Sequence, residues 1–173
     1  MRIQYLLIAG LLLASAAGVA GNPKSGQPDA AAAFARLKAL VGEWEADTKE
    51  MGKAHNSYEL IANGSVLLER ESFAGDKDKT MLSAYHLDGN RLILTHYCMA
   101  GNQPRLQLQS FYPASGEMEF VFLDGTNLSS PNTGHMHQVK LRVAGSGSLE
   151  SNWQFFENGK LKFSEPAQYT RVR

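Results

Sequence analysis

Gln138-Val139-Lys140-Leu141-Arg142-Val143 alternates polar and apolar residues without a break. Successive side chains of a strand point to opposite faces, so this stretch reads as a strand with Val139, Leu141 and Val143 on a buried face. The same period of two recurs at Arg105-Leu106-Gln107-Leu108-Gln109. From Trp44 onward such runs are separated by turn residues at Asn63-Gly64, Ala74-Gly75, Asp88-Gly89-Asn90, Ala100-Gly101, Ser115-Gly116, Asp124-Gly125, Gly145 to Gly147 and Asn158-Gly159, about 9 to 20 residues apart. Spacing this short joins neighbouring strands by hairpins and leaves no room for crossover helices, which excludes a parallel sheet. The expectation is an all-β fold, an antiparallel meander of about nine to eleven strands. A meander of that length closes into an up-and-down barrel, because closure removes edges that would otherwise aggregate. Such a barrel can enclose one small ligand.

Ahead of the meander, Pro28-Asp29 offers a cap to an alanine run, and Phe34, Leu37 and Leu40 recur at helical spacing. A short N-terminal helix from Ala30 to Val41 is expected to lay its apolar face on the barrel and plug one end. Residues 1–20 have the parts of a secretion signal: Arg2 as the positive start, Leu6 to Leu13 as the apolar stretch, and small residues Ala16 to Ala20 at the cleavage site. Residues 21–29 read as a flexible tail, leaving 30–173 as a single domain, periplasmic or secreted. Cys98 is the one cysteine, so the domain closes no internal disulfide and must draw its stability from its core.

Charge narrows the class of partner. The chain carries 17 Lys and Arg against 17 Asp and Glu, without the one-sided basic face of a nucleic-acid module. No segment after residue 20 is long and apolar enough to span a bilayer as a helix. Enzyme signatures are also absent from the sequence: there is no Gly-x-Ser-x-Gly elbow, no His-Glu-x-x-His, no phosphate-cradling loop and no CxxC pair.

Phe34-Ala-Arg-Leu-Lys-Ala-Leu-Val-Gly42-Glu-Trp44, a helix running into Gly-x-Trp, resembles the opening of lipocalin-like domains of the calycin group. Tyr85-His-Leu-Asp-Gly-Asn-Arg-Leu, Thr95-His-Tyr-Cys98, Gly101-Asn-Gln-Pro-Arg105 and Gly134-His-Met-His137 extend the likeness to a bacterial set of exported lipocalin-like barrels of uncharacterised function. More distantly the chain is similar to nitrobindin-like haem barrels. What the resemblance implies is a barrel with an internal cavity, in which the Trp closes the floor. Nitrobindin-like proteins hold haem through a His near the C-terminus, whereas Ser164 to Arg173 contains none.

The candidate ligand-binding residues follow from strand faces. His135 and His137 lie two apart in line with Val139, Leu141 and Val143, which places both imidazoles inside the barrel. Leu92, Leu94, His96 and Cys98 form a second such set. If both face inward, three imidazoles and a thiol line one cavity. Such groups orient the polar end of a small apolar or amphipathic molecule, and they are also ligands for haem iron or a transition metal. Asn102, Gln103 and Arg105 follow Gly101 at a turn, where they would stand at the barrel mouth. Glu69 and Glu71 share a face of their strand and are expected to be solvated or paired with Arg or Lys.

The expected function is therefore binding of a small molecule inside an exported barrel, with no cofactor. The alternatives are a haem or metal protein using the same histidines, and a hydrolase or isomerase with Cys98 or a His as its reacting group.

Overall fold

A computed structural model describes residues 28–49, 51–74, 76–145 and 147–172; the expected signal and most of the expected tail lie outside them. The helix, α1 (Ala30–Leu37), starts where Asp29 accepts a hydrogen bond from the Ala32 amide at 3.0 Å. It buries Ala33, Phe34 and Leu37, then tightens into a 3-10 turn, Lys38–Leu40, rather than running on as regular helix to Val41.

Among the described residues ten strands follow: β1 (Gly42–Thr48), β2 (Gly52–Ile61), β3 (Val66–Phe73), β4 (Asp76–Asp88), β5 (Arg91–Tyr97), β6 (Gln103–Tyr112), β7 (Glu117–Thr126), β8 (His135–Ala144), β9 (Ser148–Glu157) and β10 (Lys160–Arg171). Each pairs antiparallel with the next, and β1 pairs with β10 through Trp44 opposite Arg171 and Glu45 opposite Thr170, closing the barrel. The expected up-and-down barrel with a short N-terminal helix is what the chain forms.

The core is the barrel interior, built from alternate residues such as Leu92 and Leu94, Leu106 and Leu108, Met118 and Phe120, and Val139, Leu141 and Val143. The two ends differ. At one, α1 packs on β4, β5 and β6, and Trp44, wholly buried, donates its indole N–H to the Leu40 carbonyl at 2.7 Å. The Arg171 guanidinium lies over the Trp44 ring, 4.4 Å from its centroid, and donates to the Ala39 and Val41 carbonyls. This is the floor. The other end is the mouth, formed by the β1–β2, β3–β4, β5–β6, β7–β8 and β9–β10 connections.

Candidate functional site

A cavity of about 490 Å³ opens at the mouth. Its wall is largely apolar and soft: Met51, Met81, Met99 and Met136, with Phe73, Trp153, Phe155 and Phe163. The ionisable groups on it are Glu71, Glu165, His96, Cys98 and Tyr169. A volume within the usual range for small-molecule sites and a few polar groups on an apolar wall are the features of a ligand pocket.

His96 and Cys98 occupy the places expected of them. His96 is 2% exposed, its ring tilted on Trp153 at 4.7 Å between centroids, and burial in these apolar surroundings lowers its pKa to about 4. Its Nδ1 meets Ser83 Oγ at 3.0 Å, while Nε2 is buried without a partner. Burial pushes the Cys98 thiol up, away from the thiolate that a nucleophile needs.

His135 and His137 do not share that wall. A β-bulge between Met136 and Gln138 makes His137 an extra residue in β8, so the alternation set by Val139 is broken at His137 itself. The cavity takes Met136, the residue between them. The two imidazoles pack instead against Phe122 and Phe156, with centroids 4.2 Å (His135 to Phe122) and 4.4 Å (His137 to Phe156) apart. His135 Nδ1 lies 2.8 Å from the Thr133 carbonyl, which can only accept, so that nitrogen carries a proton; in the neutral ring His135 Nε2 then accepts from His137 Nδ1 at 3.1 Å. The expected meeting of three imidazoles and Cys98 in one cavity is thereby corrected, and among the described residues no three His, Cys, Asp or Glu side chains are grouped as metal ligands would be.

Asn102, in the β5–β6 connection, and Gln103 and Arg105, at the start of β6, are tied to neighbouring residues rather than standing free at the mouth. Asn102, 2% exposed, donates to the Gly134 carbonyl at 2.8 Å and ties this turn to the β7–β8 connection. Gln103 Oε1 accepts from Thr126 at 2.6 Å and from Asn127 at 2.9 Å. Arg105 forms a bidentate pair with Asp124 on the exposed face. None of the three lines the cavity.

The carboxylates reverse the expectation of solvation. Glu69 is 5% exposed. Its Oε1 accepts from Asn56 Nδ2 and the Tyr58 hydroxyl, each at 2.7 Å, and its Oε2 from the Tyr85 hydroxyl at 2.9 Å. Burial raises its pKa, and hydrogen bonds from Tyr58, Tyr85, Asn56 and Ser83 pull against that rise. Burial, then the neighbouring carboxylate, drives both Tyr58 and Tyr85 well above the ordinary phenol range. One step nearer the mouth, Glu71 accepts from Tyr169 at 2.8 Å and stands on the cavity wall, where burial and the nearby Glu69 raise its pKa to about 8. A signal for this was present in β2: Asn56 and Tyr58 lie two apart, on the face that pairs with Glu71 and Glu69.

A larger depression, about 850 Å³, is bordered by charged residues, among them Lys140 near Glu119 at 3.5 Å and Arg142 paired with Glu150. These two pairs satisfy each other's charges, and buried titratable groups lie instead on the smaller interior cavity.

Fold and site define a closed ten-strand antiparallel barrel with an apolar, acid-bearing cavity. No family model matches the chain, and no curated protein matches it. Among solved structures it is similar to a protein of unknown function from the DUF3598 family of Nostoc punctiforme, at 14% identity and a TM-score of 0.54 over 88% of this chain. The chain spans about half (53%) of that protein's length, and at this identity the likeness is one of fold.

Proposed function

We propose that this chain is an exported, lipocalin-like barrel, a single domain over residues 30–173, that holds a small apolar or amphipathic molecule in its interior. The observation that carries the reading is the cavity: about 490 Å³ of space against methionine and aromatic side chains, open at one end and floored at the other. Unfilled apolar space in a core costs stability, so a cavity of this size is a feature that binding would repay. The leader-like residues 1–20 support export to the periplasm or beyond; the intact mass of protein recovered from the exported fraction should lack them, and retention of residues 1–20 there would count against this.

The binding test uses an uncharged dye, N-phenyl-1-naphthylamine, whose emission rises in apolar surroundings. The expected result is saturable binding at one dye per chain, lost in Met136→Trp, where the larger ring fills the cavity. Binding that persists in that variant while its circular dichroism matches the parent would overturn the interior site.

A further inference from the structure

We propose that the cavity holds a soft monovalent metal ion, copper(I), on Cys98 Sγ, Met81 Sδ and His96 Nε2. The inference shares the cavity with the small-molecule reading and goes beyond it. Four of the chain's six methionines, Met51, Met81, Met99 and Met136, line this one space. Thioethers pack well against apolar ligands, and thioether and thiolate sulfur are also the donors that select copper(I). What points to metal is the company these sulfurs keep, since Cys98 and His96 stand on the same wall.

Strand register brings the three side chains together. β4 and β5 set Ser83 opposite His96 and Leu82 opposite Tyr97, and carried one residue further the same register sets Met81 beside Cys98. Directly opposed residues have Cβ atoms about 5 Å apart, within reach of one ion held between two sulfur atoms. His96 lies two residues from Cys98 on the same face, so the wall presents two adjacent rungs, Ser83 with His96 and Met81 with Cys98. Methionine thus completes a donor set that His, Cys, Asp and Glu side chains do not form by themselves among the described residues.

His96 supplies a second, independent observation. It is 2% exposed, and its Nε2 is buried without a partner. Ser83 donates its one proton to the Glu69 carboxyl and accepts from Nδ1–H at 3.0 Å, which leaves Nε2 a bare acceptor in the neutral ring. Metal-binding imidazoles are oriented in this way, the other ring N–H being held by an acceptor that is itself hydrogen-bonded. Burial closes Nε2 to bulk water, which suits an ion bound without its hydration shell. Charge balances as well. On coordination the Cys98 S–H bond breaks, its proton leaves to solvent, and the thiolate and copper(I) sum to zero beside a neutral imidazole and a neutral thioether, so no net charge is placed among apolar side chains. Met99, 47% exposed at the mouth, and Met81, 6% exposed, mark a route of thioethers inward.

The test titrates the purified full chain with copper(I) in oxygen-free buffer against the chelator bathocuproine disulfonate, with silver(I) and zinc(II) compared by calorimetry. The expected result is one copper(I) or silver(I) per chain, shielding Cys98 from iodoacetamide and showing sulfur and nitrogen neighbours in the copper X-ray absorption spectrum. Ser83→Ala should weaken binding about tenfold. Cys98→Ser and Met81→Leu, the latter close in volume to the parent, should weaken it at least as much with circular dichroism unchanged, and His137→Ala should leave it as it was. Failure to compete for copper(I), zinc(II) bound as tightly as silver(I), or an affinity that survives both Cys98→Ser and Met81→Leu overturns the site. Loss of binding in His137→Ala instead places the metal on the His135–His137 pair and overturns it too. Saturable binding of N-phenyl-1-naphthylamine without metal leaves the interior-binding reading standing, and metal binding with the dye excluded does the reverse.

Discussion

The two ends of this barrel are built on opposite terms. At the floor, Leu37, Leu40 and Trp44 are at most 1% exposed, and the one polar atom of the indole has a carbonyl to bond. At the mouth, Tyr97, Met99, Leu161 and Phe163 are between 43% and 53% exposed, and one ring nitrogen of His96, on the cavity wall, has no protein partner. One end spends its apolar surface on stability; the other leaves it in water. On the proposed reading, folding energy and recognition sit at opposite poles of one core, so each can be altered with little effect on the other.

The most damaging way to break the contrast is Trp44→Ala, which removes the indole, its bond to Leu40 and the seat of Arg171. Chemical denaturation should show a loss of about 3 to 5 kcal/mol; a loss below about 1 kcal/mol would mean the floor is not where stability resides. Gly116→Ala, in the β6–β7 connection at the floor end, should come next. Its φ of +74° and a Cβ that would sit 2.2 Å from the Val143 carbonyl oxygen leave no relaxed solution, and about 1 to 3 kcal/mol should go.

Acidity sharpens the comparison, because the perturbed groups lie on the cavity side. Glu71, raised from 4.5 to about 8 in the fold, contributes stability that is fully present below about pH 4.5 and lost as pH rises towards 8. His96, lowered from 6.5 to about 4, contributes stability present above about pH 6.5 and lost as pH falls towards 4. Thermal melts across pH 4 to 9 should therefore lose their alkaline slope in Glu71→Gln and their acid slope in His96→Phe, and unchanged slopes would contradict these assignments. The smallest effect is expected at the rim. Leu161→Lys should shift stability by no more than about 0.5 kcal/mol while reducing self-association at high concentration, as light scattering would record.

Two strands show what could be read from the chain and what could not. The meander, its closure and the plugging helix were legible because turn residues and period-two runs carry them directly. The inward set Leu92, Leu94, His96 and Cys98 was legible for the same reason. On β8 the same rule failed, since a bulge leaves no mark in the pattern His-Met-His-Gln-Val: it arises from how β8 meets β9, through Met136 opposite Phe155 and Gln138 opposite Gln154. On β3, the period of two puts Glu69 and Glu71 on one face, but their charge argues for solvent. What reverses that argument is other strands, which bring Asn56, Tyr58, Tyr85 and Tyr169 to the carboxyls. Burial of a carboxyl is decided by its donors, and those donors are spread from β2 to β10.

The seam between β1 and β10 also governs how the chain reaches this state. Arg171 meets Val41 across 130 positions of sequence and Ala39 across 132, whereas every other strand finds its partner through a neighbouring hairpin. Hairpins form on microsecond timescales, but ring closure must wait until both ends of the domain are in hand, and non-local pairing of this kind slows folding by orders of magnitude. Refolding should accordingly show β structure accumulating before the Trp44 indole reaches its final environment, with the last step being the joining of the first strand to the last.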